Sequence, residues 1–515
     1  MRRAFLAALC CVLLLSGQAL AGAAFYQPGP QGSIGVSRPR LGMRVQTTDG
    51  DQVTQATVTV DGQSFPAGAD GDLYYYQPAA PLTPGAHRVN IHLVLSGNYQ
   101  PLDRTWQVIV APGALAELPG ANANQLAVLD AVNRYRRLAD LGPVALDPAL
   151  DAAATAHARY FILNPSSGLS VHYERPGEVG FTGQAPWDRG AYFGFQSAGA
   201  YEEDMHFTAD HQKAVRDWVD SVYHRFLITD PDLSLIGYGF AGDGSDTYAN
   251  VLEGAAPPGD SGGDAVLVVA YPMPGQREVP VTWDDHEAPD PLRLWNTKNS
   301  GYPITLQFSA GVGLTGVKVS GAGLTDADGV SVPLWVNTPD NDEHLKSQVA
   351  LLPRVDLKAG TRYTASVAGT VYLQDGTSKP FTKAWWFTTA GAGDGLTANP
   401  GISVRLNGVP MRFEVAPALE NNRTMVPFRA IFEALGANVN WDATHYAVLA
   451  RSVLHSIRLK IGNDRALVDS QDVLLDAPPL IVGDRTLVPL RFVAENLGLK
   501  VDWDEKTRTV SLVGP

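Results

Sequence analysis

Two short stretches of this 515-residue chain hold residue types that do hydrolytic chemistry. "GDSGG" sets Ser261 between an aspartate and two glycines, the setting of a nucleophilic serine, and "ATAHAR" places His157 upstream. A serine nucleophile works only when a histidine base and an orienting carboxylate meet it, which serine-protease chemistry achieves on packed strands. His157 instead sits in an Ala-rich helical pattern, and a further helical pattern separates it from Ser261. The chain is therefore read as no serine protease. "PPGDSGGDAV" is a polar hairpin loop in which Gly and Asp supply turn conformations, and His157 is a packed core histidine.

The bulk composition narrows the classes. Apolar residues make up 45% and charged residues 18%, values of a globular chain with ample core. The formal net charge of -14 argues against nucleic acid or an anionic membrane as partner. Arg2 and Arg3, the short apolar run "AFLAALCCVLLL" and "ALA" ending at Ala21 read as a signal peptide cleaved after Ala21. The expected compartment is therefore secreted, extracellular or cell-wall-associated. No later stretch is apolar and long enough to span a bilayer. Cys10 and Cys11 leave with the leader, so the mature chain has no disulfide, thiol nucleophile or thiolate ligand.

The elements that must position any site follow in order. Residues 34–112 read as strands in an immunoglobulin-like β-sandwich, with "ATVTVDG", "HRVNIHLVL" and "RTWQVIV" separated by turn residues. From Gln125 the period becomes helical. Val128, Val132, Tyr135 and Ala139 share one face, and Gly142-Pro143 ends the pattern. Asp147-Pro148 caps a second helix whose inner face holds Leu150, Ala154, His157 and Phe161. A third turns Val215, Trp218, Val219 and Val222 inward. "LIGYGFAG", "TYANVLEG" and "AVLVVAYP" are strands, so helices preceding a short sheet indicate α+β or α/β/α layering. Residues 288–391 read as a second immunoglobulin-like sandwich. The last segment contains a repeat at an offset of 62: "RTMVPFRAIFEALGANVNWD" returns as "RTLVPLRFVAENLGLKVDWD". Each copy is strand, helix, strand, and two such units pair to bury one core.

The pieces "VNRYRR", "LDPALDAAATAHARY", "SVHYERPGEVGFTG" and "AVRDWVDSVYHRFLITDP…IGYG" resemble a bacterial CAP domain, of the SCP/PR-1-like family, over residues 125–280. The resemblance implies an α-β-α sandwich with a cleft lined by two histidines and one or two glutamates, which in some members bind zinc or another divalent cation. His172 matches the first histidine, His224 the second, and Glu202 or Glu203 the first glutamate. The family's second glutamate falls at Ser221, a departure that weakens two-carboxylate acid/base chemistry. Two imidazoles and a carboxylate suit an open zinc site with an activatable water. They equally suit a hydrogen-bonded polar cleft. Arg225 is expected to pair with an acidic neighbour, Tyr173 and Tyr223 to line or pack the cleft, and Asp204, His206 and His211 to lie on a solvated face.

Residues 400–513 resemble the copper amine oxidase N-terminal-like domain of secreted bacterial proteins, a module without a copper centre. No cofactor-forming tyrosine motif or His-x-His pair is present, so no copper or redox cofactor and no amine oxidase activity are expected. The whole is thus expected to be multi-domain. An α-β-α CAP sandwich is flanked by immunoglobulin-like β-sandwiches and followed by a C-terminal α+β domain of two repeats. The leading expectation is a cell-surface binding or interaction role toward a cell-wall or surface polymer or an extracellular protein. The alternatives are a metal-assisted, peptidase-like hydrolase built on His172, His224, Glu202 and Glu203, and a carrier of lipid or small hydrophobes.

Overall fold

The computed structural model describes residues 23–47, 51–96, 100–165, 170–196, 201–244, 247–256, 265–284, 287–311, 313–391, 397–398, 402–411, 413, 417–420, 423–434, 438–442, 447–451, 455–461, 463–469, 471–482, 485–505 and 507–514. The expected leader and the Ser261 loop lie outside the described residues. The chain is multi-domain and mostly β, with few helices. It divides into two compact units, one of residues 1–127, 145–214 and 235–258, the other of residues 128–144, 215–234 and 259–515.

In the first unit, strands Ala23–Phe25, Leu41–Thr47, Leu73–Tyr76 and Gly68–Asp70 form one sheet. Gly32–Val36, Leu102–Leu115, Gly85–Leu95, Val53–Val60 and Gln63–Pro66 form another. Alternating residues of both, among them Met43, Ile34, Val58, Ile91 and Val108, fall into one apolar cluster. The pair Gly32–Val36 and Leu102–Leu115 is parallel.

The same unit holds a four-stranded sheet in the order Ala145–Leu146, Leu235–Gly242, Tyr248–Ala255, Tyr201–His206. Helix Pro148–Leu163 lies on it. Asp147 caps the helix, its Oδ1 accepting from the amides of Ala149 (2.8 Å) and Leu150 (3.1 Å), and such a cap contributes about 1 kcal/mol. The helix approaches the sheet closely because the strand carries Gly237 and Gly239. A Cβ on either would stand 2.1 Å from the backbone of Leu150 or Ala154. Small residues Ala154, Ala158 and Ala249 fill the contact with Met205 and Val251.

In the second unit, Arg136 is buried and donates to the carbonyls of Gly142, Ile228, Asp230 and Leu233 at 2.7–3.1 Å, and burial lowers its pKa to about 10. Val215, Trp218, Val219 and Val222 are buried as their spacing requires. Strand Val266–Tyr271 pairs with Ile304–Ala310, so "AVLVVAYP" joins the sheet that follows and not the one containing Leu235–Gly242. Beyond Ile304–Ala310 that sheet continues with Gln348–Pro353 and then Leu334–Asn337. Leu314–Asp326, Arg362–Leu373 and Ser378–Thr388 make a separate sheet.

The repeat appears as Arg423–Pro427 and Arg485–Pro489, each leading into a seven-residue helix. The two strands pair antiparallel, and both helices feed one apolar cluster through Ile431, Phe432, Val493 and Ala494. The side chains of Glu433 and Trp441 lie outside the described residues. Strand Ser403–Leu406 runs parallel to Thr509–Val513. No helix among the described residues is long and apolar enough to cross a membrane.

Candidate functional site

Strand alternation separates the two adjacent glutamates. Glu203 points with Tyr201 and Met205 to one face, and its carboxylate is 1% exposed, whereas Glu202 is exposed on the other. Glu203 meets His172, whose Nδ1 donates to its Oε1 at 2.9 Å, while the His172 ring remains 29% exposed. So the structure brings His172 and Glu203 together, and Glu202 stands outside their contact.

Behind this pair lies a buried ionic cluster. Arg189 comes from helix Pro186–Tyr192, whose first turn is closed by Asp188 Oδ2 accepting from the Ala185 amide at 3.0 Å. Its guanidinium is fully buried. Nη2 ion-pairs with Glu203 Oε2 and Nη1 donates to the His172 carbonyl at 3.0 Å. Glu174 and Glu253 each bring an oxygen to 3.9 Å from it. Glu174 in turn orders the loop below His172. Its Oε2 accepts from the amides of Thr182 (2.7 Å) and Gly183 (3.3 Å).

His157 is buried as expected, but inside this cluster and not in apolar core. Its Nδ1 faces Glu174 Oε1 at 3.0 Å and its Nε2 the Val171 carbonyl at 2.8 Å. The ring is thus held at both nitrogens, by a carboxyl group on one side and a backbone carbonyl on the other. Glu203 and Glu253 are direct cross-strand partners, an arrangement that two carboxylates cannot share when both are ionised. Burial would raise Glu203, but the Arg189 guanidinium, then His157 and His172, outweigh it and hold the carboxyl well below the usual range. Burial and then ionised Glu203 push Glu253 well above that range, against the pull of Arg189. Arg189 thus faces an ionised Glu203, with Glu253 held neutral beside them.

A divalent ion does not fit at Glu203. One carboxylate oxygen is taken by Arg189 and the other by His172, and a guanidinium with no lone pair stands where an ion would compete. Among the described residues, no group of three His, Cys, Asp or Glu side chains is arranged to hold a metal.

His224 belongs to the second unit. Its Nδ1 lies 3.0 Å from Glu287 Oε1. Arg225 does not pair with a carboxylate as expected. It donates to the carbonyls of Val219 (2.8 Å) and Pro303 (3.1 Å) and lies over the ring of Tyr271, because an always-charged guanidinium satisfies itself on carbonyls and aromatic faces. Tyr223 donates to Asp342 Oδ2 at 2.7 Å. The expected solvated face is also corrected. Asp204 is buried, and His211 meets the Tyr238 hydroxyl at 2.7 Å. Sequence reasoning passed over Arg189, Glu174 and Glu253. The one signal available was an acidic residue at an inward position of an apolar strand, "ANVLEGA".

The family model of the cysteine-rich secretory protein family, CAP, matches residues 129–255, and that of the copper amine oxidase N-terminal domain matches residues 405–512. Among solved structures the chain is similar to an outer surface protein of Borrelia burgdorferi (16% identity, 27% of this chain and 96% of that one, TM-score 0.22). It is also similar to the venom allergen-like protein 4 of Schistosoma mansoni (12% identity, 26% and 90%, TM-score 0.19). A third likeness is to SGBP-B of a Bacteroides ovatus mixed-linkage glucan utilization locus (12% identity, 72% and 71%, TM-score 0.14). Comparison with curated proteins found no match.

Proposed function

We propose that this chain, which carries a CAP domain and a copper amine oxidase N-terminal-like domain, is a secreted, envelope-associated binding protein whose CAP domain takes its ligand at His172 without a metal. The observation that carries this reading is the engagement of Glu203. A hydrolase needs a carboxylate with a free oxygen to bind an ion or take a proton, and both Glu203 oxygens are committed to Arg189 and His172. The ion cluster beneath holds the His172 ring through Nδ1 on a half-buried surface, which suits recognition of a polar polymer by its other nitrogen. In this reading, immunoglobulin-like sandwiches at 34–112 and 288–391 act as spacers to the CAP region at 125–280, and residues 400–513 attach to the envelope.

The test pairs two measurements on the full mature chain. Incubated with isolated cell-wall and surface-polymer fractions, wild type is retained and His172→Ala is retained at least about tenfold more weakly, the worth of one good hydrogen bond. Equilibrium dialysis against zinc, manganese and calcium gives no stoichiometric binding. One tightly held zinc lost in His172→Ala would refute the metal-free reading and restore the hydrolase. Co-purified lipid with no polymer retention would replace it with a carrier.

A further inference from the structure

A cavity of about 470 Å³ opens in the second unit, where the turn at 230–233 meets the end of strand Ile304–Ala310. Its volume falls in the range of ligand sites, about 300–1,000 Å³. Its polar wall is held in place from behind. Buried Arg136 donates to the carbonyls of Asp230 (2.7 Å) and Leu233 (3.0 Å), on either side of Asp232, and Asp230 Oδ1 accepts from the Asp232 amide at 2.8 Å. Ser309, itself 4% exposed, donates to Asp232 Oδ2 at 2.6 Å. The amides of Lys346 and Ser347 both donate to Gln348 Oε1 at 3.0 Å, and the Ser347 carbonyl accepts from the Phe308 amide at 2.9 Å. Thr315 is the extra residue of a bulge, since the pairing of Leu314–Asp326 with Arg362–Leu373 shifts register between Leu314 and Gly316. A bulge re-aims the side chain it carries, and Thr315 lines the cavity.

The charges in this wall are left over. Ser309 occupies one Asp232 oxygen, and among the described residues neither Asp232 nor Lys346 forms an ion pair, with each other or with a third group. Both residues are exposed to solvent. An unpaired carboxylate and an unpaired ammonium on one cavity complement a ligand that carries both signs. A neutral saccharide would bring hydroxyls only and leave both charges unanswered. It would also find no ring face to stack on. Phe308, the one aromatic side chain in the wall, is 2% exposed and turned to Phe381, with ring centroids 4.7 Å apart.

We infer that this cavity binds a short zwitterionic peptide, whose free ammonium meets Asp232 Oδ1 and whose terminal carboxylate meets Lys346. Both contacts are charge-assisted hydrogen bonds, the stronger kind. The hydroxyls of Thr315 and Ser347, each able to donate and accept, serve the peptide unit between the two ends. The inference is independent of the binding role proposed for His172, which belongs to the other unit.

The test is calorimetric titration of the full chain with dialanine and trialanine, one of which saturates a single site. N-acetylation of that peptide weakens it about tenfold, and so does C-terminal amidation, each removing one charge-assisted hydrogen bond. Asp232→Asn keeps an acceptor for Ser309 and weakens the free peptide about tenfold, after which acetylation costs nothing more. Lys346→Met, at an exposed position, does the same for amidation. These crossed losses tie each end of the peptide to its residue. No saturable binding of either peptide overturns the inference, as does binding that neither substitution weakens. Saturation by a neutral glucose oligosaccharide that competes with the peptide overturns the assignment of ligand class. His172→Ala binds the peptide as wild type does, so loss of polymer retention in that variant and loss of peptide binding here are separate results.

Discussion

Replacing Arg189 with methionine tests the buried cluster most directly. Methionine keeps much of the side chain's length and apolar stem but leaves ionised Glu203 with only His172 at 2.9 Å and His157 at 3.7 Å. Stripping one partner from a buried ion pair costs about 3–5 kcal/mol. The His172 carbonyl also loses its donor at 3.0 Å, worth about 1 kcal/mol. Glu174 and Glu253, each 3.9 Å away, lose the same cation. The sum, about 4–6 kcal/mol, is a large share of a typical domain's stability. Because a chain of several domains has no single unfolding free energy, the readout is hydrogen exchange by mass spectrometry on the full chain. Amides of Tyr201–His206 and Leu235–Gly242 lose protection on the order of a thousandfold, while those of Thr509–Val513 do not change. Adding Glu203→Gln removes the unpaired charge and recovers part of the loss, giving a coupling of at least about 2 kcal/mol in the double-mutant cycle. Protection within threefold of wild type in Arg189→Met would refute the assignment of Arg189 as the cluster's counterion.

Two further outcomes follow from the same geometry. Gly237→Ala drives a methyl group into the Leu150 backbone and is expected to lower the stability of the helix–sheet layer by about 3 kcal/mol or more, whereas Gly321→Ala, with nothing within 4 Å of the added carbon, leaves exchange unchanged; equal effects would sink the close-packing argument. Glu253→Gln has a defined pH signature. The folded state holds Glu253 protonated above the pH at which the unfolded chain releases that proton, so wild type loses stability as pH rises through the ordinary carboxylate range. The glutamine variant escapes that loss. It is expected to be the more stable protein at neutral pH, with the advantage vanishing in acid, and denaturation series at both pH values check the sign.

Local patterns in the sequence carried the helices and strands well. Asp147-Pro148 announces the start of Pro148–Leu163, and the spacing of Val215, Trp218 and Val219 gives their buried face. The 62-residue repeat announces two strand–helix units around one core. What stayed hidden is non-local. His157 reads as core because a histidine in a buried polar cluster looks like any buried histidine until Glu174, 17 residues on, is placed against it. Arg189 sits in a seven-residue helix with no period to reveal an inward face. The choice between Glu202 and Glu203 depends on the register of Tyr201–His206 against Tyr248–Ala255, which neither strand specifies alone. Glu287 and His224 are 63 residues apart in different motifs, so no spacing rule connects them.

The parallel pairing of Ser403–Leu406 with Thr509–Val513 has a mechanical meaning. Tension entering at the start of one strand and leaving at the end of the other pulls them in opposite directions along their length. The four aligned pairs from Ser403 with Thr509 to Leu406 with Leu512 then resist together, in shear, and do not open one after another as a zipper would. Gly32–Val36 against Leu102–Leu115 loads in the same way. A protein tethered at one end and holding a surface polymer would thus load these two parallel pairs in shear and not strand by strand.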